Sequence, residues 1–147
     1  MDYTLIKNWL KENLTEERYL HSLGTAECAA ELAEKYGVNK EKAYLAGLIH
    51  DCAKCLKNEE LLGILHKMEN IHEDEFINPK TYHAPAGVPV AKKEFNITDE
   101  EILSAIRWHT LGKANMTDFE KIIFIADKIE PRTRTEDYVQ PIRDALN

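Results

Sequence analysis

The sequence predicts an all-α single domain, and three observations carry that prediction. Apolar residues recur at helical spacing in almost every segment. No segment shows the strict alternation of a half-buried strand. Capping residues or glycines stand at the ends of the periodic runs. A chain of 147 residues buries about 70% of the surface its unfolded form exposes. Such a core closes without a disulfide or a structural metal, so any metal is free to serve chemistry.

Each element has its own warrant. Asp2 caps a first helix whose inward face is Leu5, Ile6, Trp9 and Leu10. Thr15 caps a second, with Glu16 and Glu17 in the first turn where carboxylates suit the helix dipole, and Gly37 ends it. Asn39 caps a third that runs to Ile49, and Asn58 starts a short fourth through Leu61, Leu62 and Leu65. Residues 69–82 are acidic and aperiodic, which predicts an exposed connection. A helix follows through residue 94, with Pro85 in its first turn and Pro89 implying a kink or a late start. Thr98-Asp99-Glu100-Glu101 predicts a capping box for a helix that ends near His109-Thr110 and is stopped by Gly112. Thr117-Asp118-Phe119-Glu120 predicts a second box, opening a helix that carries Asp127 and ends before Pro131. Residues 138–146 read as the start of another helix.

The formal charge of −7 argues against polymeric nucleic acid and anionic membranes as partners. A small anionic ligand remains compatible wherever cations cluster. The longest apolar run, Ala43 to Ile49, falls far short of the about 20 residues of a membrane span. No signal peptide is visible, and the cytoplasm is the expected location. Cys28, Cys52 and Cys55 form no disulfide framework; Cys52 and Cys55 make a lone C-x-x-C, read as two ordinary half-buried thiols rather than a redox pair.

The chemistry centres on His50-Asp51, where an apolar helix ends. Imidazole beside carboxylate is a mixed nitrogen and oxygen set suited to Zn, Mn, Fe or Ni. His21 lies on the inward side of the second helix, His83 begins the proline-containing helix, and His109 ends the next. Asp127 follows five apolar residues and needs a partner if buried. Singly each residue has a bland reading: a core histidine, a cap, a dipole partner, or a mate for Arg107 or Lys128. Together they suffice for two metal sites sharing a carboxylate. His66 and His72 are expected to take no part, since His72-Glu73-Asp74-Glu75 lacks the spacing of a zincin.

His21, His50-Asp51 and Asp127 follow the H…HD…D order of the HD-domain metal phosphohydrolases, a helical superfamily. Arg18-Tyr19-Leu20-His21-Ser22, His50-Asp51-Cys52-Ala53-Lys54, His83-Ala84-Pro85, His109-Thr110-Leu111-Gly112 and the run from Ala126 to Arg132 resemble the YqeK-type symmetrical diadenosine tetraphosphate hydrolases. The resemblance covers the sequence from about residue 3 to its end. It implies an HD-domain helical bundle over residues 1–147, although members of the family continue through further C-terminal helices.

It also implies that His21, His50, Asp51 and Asp127 hold one divalent metal, that His83 and His109 hold a second, and that Asp51 bridges. Iron is the metal to expect first, with Mn, Co, Ni or Zn compatible with the ligands. The expected reaction is attack of metal-bound hydroxide on a central phosphorus, releasing two ADP. Arg18 and Lys54 are the expected catalytic cations beside Asp51. Arg18, Lys54, Thr110, Gly112, Arg132 and Arg134 are candidates to bind phosphate, and Glu130 to accept from ribose or base. Helices one and two carry enough apolar surface for a homodimer or for an ordinary core. Competing expectations are an HD phosphohydrolase of mononucleotides or dNTPs, an HD-type di-iron oxygenase, and a nucleotide sensor with little turnover.

Overall fold

The computed structural model describes residues 2–146, all of them in helices, turns or irregular segments. The helices are α1 (Thr4–Asn13), α2 (Glu16–Lys35), α3 (Lys40–Ile49), α4 (Asn58–Lys67), α5 (His83–Phe95), α6 (Glu100–Trp108), α7 (Asp118–Ile129) and α8 (Val139–Leu146). Short 3-10 helices occupy Cys52–Cys55, Glu73–Phe76 and Pro79–Thr81. Among the described residues no helix is long and apolar enough to cross a membrane.

Local chemistry sets most boundaries as the sequence predicts. The Thr15 side chain accepts from the Arg18 amide, and the Asn39 side chain from the Lys42 amide. Thr117 and Glu120 form a reciprocal capping box, each amide donating to the other's side chain at 3.0–3.1 Å. Asp2 accepts from the Thr4 amide at 2.9 Å, although Tyr3 occupies the position next to the helix.

Three expectations are corrected. The cap of α6 is Asp99 and not Thr98: its Oδ1 accepts from the amides of Glu101 and Ile102, so Glu101 lies too early to close a capping box. Helix α5 starts at His83 and runs through Pro89 to Phe95, so there is no late start. The segment 69–82 is not merely an exposed connection. Glu75 is 1% exposed and receives the Arg107 guanidinium on both oxygens, at 2.9 and 2.8 Å, while Arg107 also donates to the Asn70 carbonyl. This bidentate ion pair ties the segment to α6 across 32 positions, a distance over which helical periodicity carries no signal.

Helix α2 packs against α3 and α7, and α6 against α5 and α7. Their facing residues, among them Leu48, Ile49, Ile106 and Ile123, make the main core. A second cluster of Ala53, Leu61, Leu65, Tyr82 and Ala86 seats α4 on α5. The α2–α3 contact depends on Gly47, where an added Cβ would stand 2.9 Å from the Ala26 Cα and from the Thr25 carbonyl. Both neighbours are backbone, so a methyl group there must push the helices apart. Gly47→Ala is expected to destabilise the protein by about 1–3 kcal/mol, the usual cost of overpacking; urea unfolding gives the value, and an unchanged midpoint would contradict the close approach.

Candidate metal centre

The four helix-borne histidines and two aspartates are brought together from five elements. His21 lies on α2, His50 follows α3, His83 opens α5, His109 follows α6 and Asp127 lies on α7. All six residues are 9% exposed or less. His21, His50, Asp51 and Asp127 offer ligand atoms within 4.8 Å of one another, and so do Asp51, His83 and His109.

The same device positions two of the histidines. A helix leaves its last carbonyls without intrahelical partners. His50 Nδ1 donates to the Gly47 carbonyl at 2.6 Å, and His109 Nδ1 donates to the Ile106 carbonyl at 2.6 Å. A carbonyl only accepts, so the proton sits on Nδ1 and each Nε2 is directed to the site. His21 is held by a carboxylate instead, with Nδ1 2.7 Å from Glu130 Oε2. Glu130 is fully buried; Thr133 donates to it from its amide and its hydroxyl. A Cβ at position 24 would collide with the Glu130 carboxylate, so glycine makes its place.

With Nδ1 engaged behind them, the unprotonated rings of His21, His50 and His109 turn acceptor nitrogens toward carboxylate oxygens. Asp127 Oδ1 lies 2.7 Å from His21 Nε2 and 3.1 Å from His50 Nε2. His83 Nε2 and His109 Nε2 are 3.1 Å apart, each 3.3 Å from Asp51 Oδ1. Asp51 Oδ2 faces the other pair, 3.5 Å from His50 Nε2 and 3.9 Å from His21 Nε2. Lone pairs aimed at one another repel unless a cation or proton lies between them. Carboxylate and imidazole donors with carbonyl-fixed tautomers fit divalent metal ions.

The electrostatics agree. Burial alone pushes the Asp51 and Asp127 carboxyls up, but the surrounding histidines hold both well below the usual range. Burial pulls His21 down, yet Asp127 and Glu130 outweigh it and raise its pKa to about 9. His50 is raised despite burial, by Asp51 and Asp127; His83 is lowered, chiefly by burial.

All the candidate ligands but His50, which is fully buried, line a cavity of about 640 Å³. Of the predicted phosphate-binding residues, Arg18, Lys54, Thr110 and Arg134 line it, joined by Thr15, Glu17 and Thr133, which sequence reasoning missed. Burial and nearby Arg18 depress the Lys54 pKa, with Asp51 opposing. The Thr110 Oγ1 is buried and has no hydrogen-bond partner among the described residues. Arg134 Nε donates to the Asp127 carbonyl, which fixes its guanidinium beside the metal ligands.

Three predicted contacts are placed elsewhere. Arg132 grips Glu27 with Nε and Nη2 at 2.7 and 3.0 Å and is absent from the cavity lining. The Gly112 amide donates to the Trp108 carbonyl, and at φ +71° this residue closes α6 instead of offering a donor to phosphate. Glu130 is occupied by His21 and Thr133, so it orients a histidine rather than meeting a ribose or base. Glu130 lies just past the end of α7, three residues after Asp127, and no local pattern marks it as the partner of His21, 109 positions away.

Asp127 pairs with Lys128, and Arg107 is taken by Glu75. His66 stacks on Phe76 and His72 lies against Trp108, both outside the metal ligands. Cys52 is buried, with a thiol that burial pushes up, and Cys55 is exposed, so the two are not equally half-buried.

Glu130→Gln keeps the shape and removes the charge behind His21. It should weaken metal binding about 10–100-fold, read by competition with a chelator, with the metal-free fold retained; unaltered affinity would remove Glu130 from this role. The His21 shift also has a sign. Its folded pKa of about 9 exceeds the ordinary 6.5, so the proton stabilises the metal-free fold fully below about pH 6.5 and ceases to as pH rises through about 9. Metal-free protein should lose stability over that window in thermal melts, while metal affinity rises as protons stop competing.

The HD domain family model matches residues 18–132. The symmetrical bis(5'-nucleosyl)-tetraphosphatase of Bacillus subtilis (strain 168) is 42% identical over 122 residues, 83% of this chain and 66% of that protein. The enzyme of the same description from Staphylococcus aureus (strain NCTC 8325 / PS 47) is 40% identical over 144 residues, 98% of this chain and 74% of its own. The chain thus spans about two thirds to three quarters of the length of these relatives. A crystal structure from Clostridium acetobutylicum, described as a predicted HD superfamily hydrolase involved in NAD metabolism, superposes with a TM-score of 0.92 at 42% identity, over 99% of this chain and 77% of that one. By family match, relatives and fold, this chain belongs to the HD domain family.

Proposed function

We propose that this protein hydrolyses diadenosine tetraphosphate and related dinucleoside polyphosphates symmetrically, into two nucleoside diphosphates. The observation that carries the reading is Asp51. Its two oxygens face two different histidine pairs in a cavity that Arg18, Lys54 and Arg134 also line. That is what a carboxylate bridging two metals requires, and the relatives named for this activity support the choice of substrate.

Divalent metals held by His21, His50, Asp51 and Asp127 and by Asp51, His83 and His109 would acidify water and neutralise phosphoryl charge. Iron is the metal proposed first; Mn, Co, Ni and Zn suit the same donors. The chain's own residues do the rest. Arg18, Lys54 and Arg134 meet the polyphosphate and hold a central phosphorus over the metal ligands, where their charges offset the charge developing on the phosphoryl oxygens. Thr110 has a free hydroxyl to donate to one of those oxygens. In this reading the Lys54 ammonium offsets charge that accumulates on the departing diphosphate. A nucleoside diphosphate leaves an anhydride readily, so no dedicated general acid is needed.

The test is metal analysis on protein purified without chelator, followed on the same sample by product analysis from diadenosine tetraphosphate. About two metals per chain and ADP as sole nucleotide product are expected; AMP with ATP would overturn the cleavage position, and absence of turnover after Fe or Mn is restored would overturn the activity. Asp51→Asn should lose metal and reduce kcat at least about 100-fold, because several kcal/mol of transition-state stabilisation depend on the metals. Turnover and metal content like the wild type's would refute the bridging role.

A further inference from the structure

One of the candidate metal ligands, His83, borders a second recess. It holds about 250 Å³ and shares Arg18, Lys54 and His83 with the main cavity. Its other walls are Leu56, Asn58, Leu61, Pro79 and Lys80, none of which lines the main cavity. The unshared lining of the main cavity comes instead from Thr15, Thr110, Thr133 and Arg134, among others. Two spaces built from different elements thus meet at one wall, which is formed by a metal ligand and two cations.

The recess is too small for a whole dinucleoside polyphosphate, since even pockets for drug-sized ligands run about 300–1,000 Å³. It suits part of one. Leu56, Leu61 and Pro79 offer an apolar surface to a flat base, and the Asn58 amide offers a donor and an acceptor to its edge. Lys80 supplies a cation beyond the Arg18–Lys54 pair, so positive charge continues from that pair into the recess. Polyphosphate chemistry requires that continuity.

A substrate cut at its centre has two equal halves. Both must be held on the two sides of the cleaved bond, and the main cavity accounts for one. Resting on the functional reading above, we propose that the recess of Leu56, Asn58, Leu61, Pro79 and Lys80 is the second nucleoside diphosphate half-site. Arg18 and Lys54 stand at the junction, against the inner phosphates, and Lys80 meets the outer phosphate of the second half.

Titration of metal-loaded protein with ADP tests this without turnover. Asn58 and Lys80 are both exposed, so substitutions there leave the core and the metal ligands in place. The wild type is expected to bind two ADP per chain and Asn58→Trp, which fills the recess, only one, with metal content unchanged. Lys80→Glu should weaken the second ADP at least about fivefold, and most at low salt, leaving the first within about twofold. One ADP in the wild type, or two in Asn58→Trp, would overturn the half-site. Failure of the functional reading registers separately, as no ADP released from diadenosine tetraphosphate by the wild type.

Discussion

The site depends on one constraint: an imidazole with its Nδ1 held by an acceptor must present Nε2 elsewhere. His50 and His109 each meet it by closing a helix, donating from Nδ1 to the carbonyl three residues back. The bond that finishes the helix also chooses the tautomer and the direction of the ring. His21 lies within α2, where no carbonyl is free, and there a carboxylate from beyond α7 takes the carbonyl's place. Glu130 needs burial to act this way, and Gly24 and Thr133 provide it, one by lacking a side chain and the other by donating twice. Secondary structure and ligand geometry are here the same hydrogen bonds.

Six donors can converge only if their helices approach closely, and small residues allow it. Gly47 touches the backbone of α2, which brings the end of α3 to His21. Gly87 admits Ile106 in the same way, setting α5 against α6, so His83 meets His109. These contacts are backbone against backbone or against a branched side chain. They leave little freedom to adjust, which suits a centre whose ligand distances cannot vary by much.

Much of this was legible in the sequence. Capping chemistry is local, so Thr15, Asn39 and the Thr117–Glu120 box announced their helices, and ligand types at successive helix ends announced the centre. What stayed hidden depends on pairings far apart in the chain. Glu75 with Arg107 and Glu27 with Arg132 join residues 32 and 105 positions apart, and nothing in either neighbourhood marks the partner. Arg132 reads from sequence as a phosphate ligand for the same reason: its charge is visible and its occupant is not. Gly112 illustrates the converse. Its position after a helix was read correctly as a stop, and a residue that stops a helix donates its amide to that helix, leaving none for a ligand.

The charges explain why the centre is built for cations. Asp51, Asp127 and Glu130 are buried, and the histidines around them keep all three ionised. Three buried negative charges need positive charge within a few ångströms, because a low dielectric penalises them heavily when unpaired. Protons on His21 and His50 supply some of it, which is why both histidines hold protons more tightly than usual despite burial. Divalent cations would supply more charge from the same positions while releasing those protons. Arg18, Lys54 and Arg134 line the same cavity, with Arg134 Nη2 3.7 Å from Asp127 Oδ1. In a chain of net charge −7, these three cations concentrate positive charge in the cavity beside the candidate metal ligands, where a polyanion can be held.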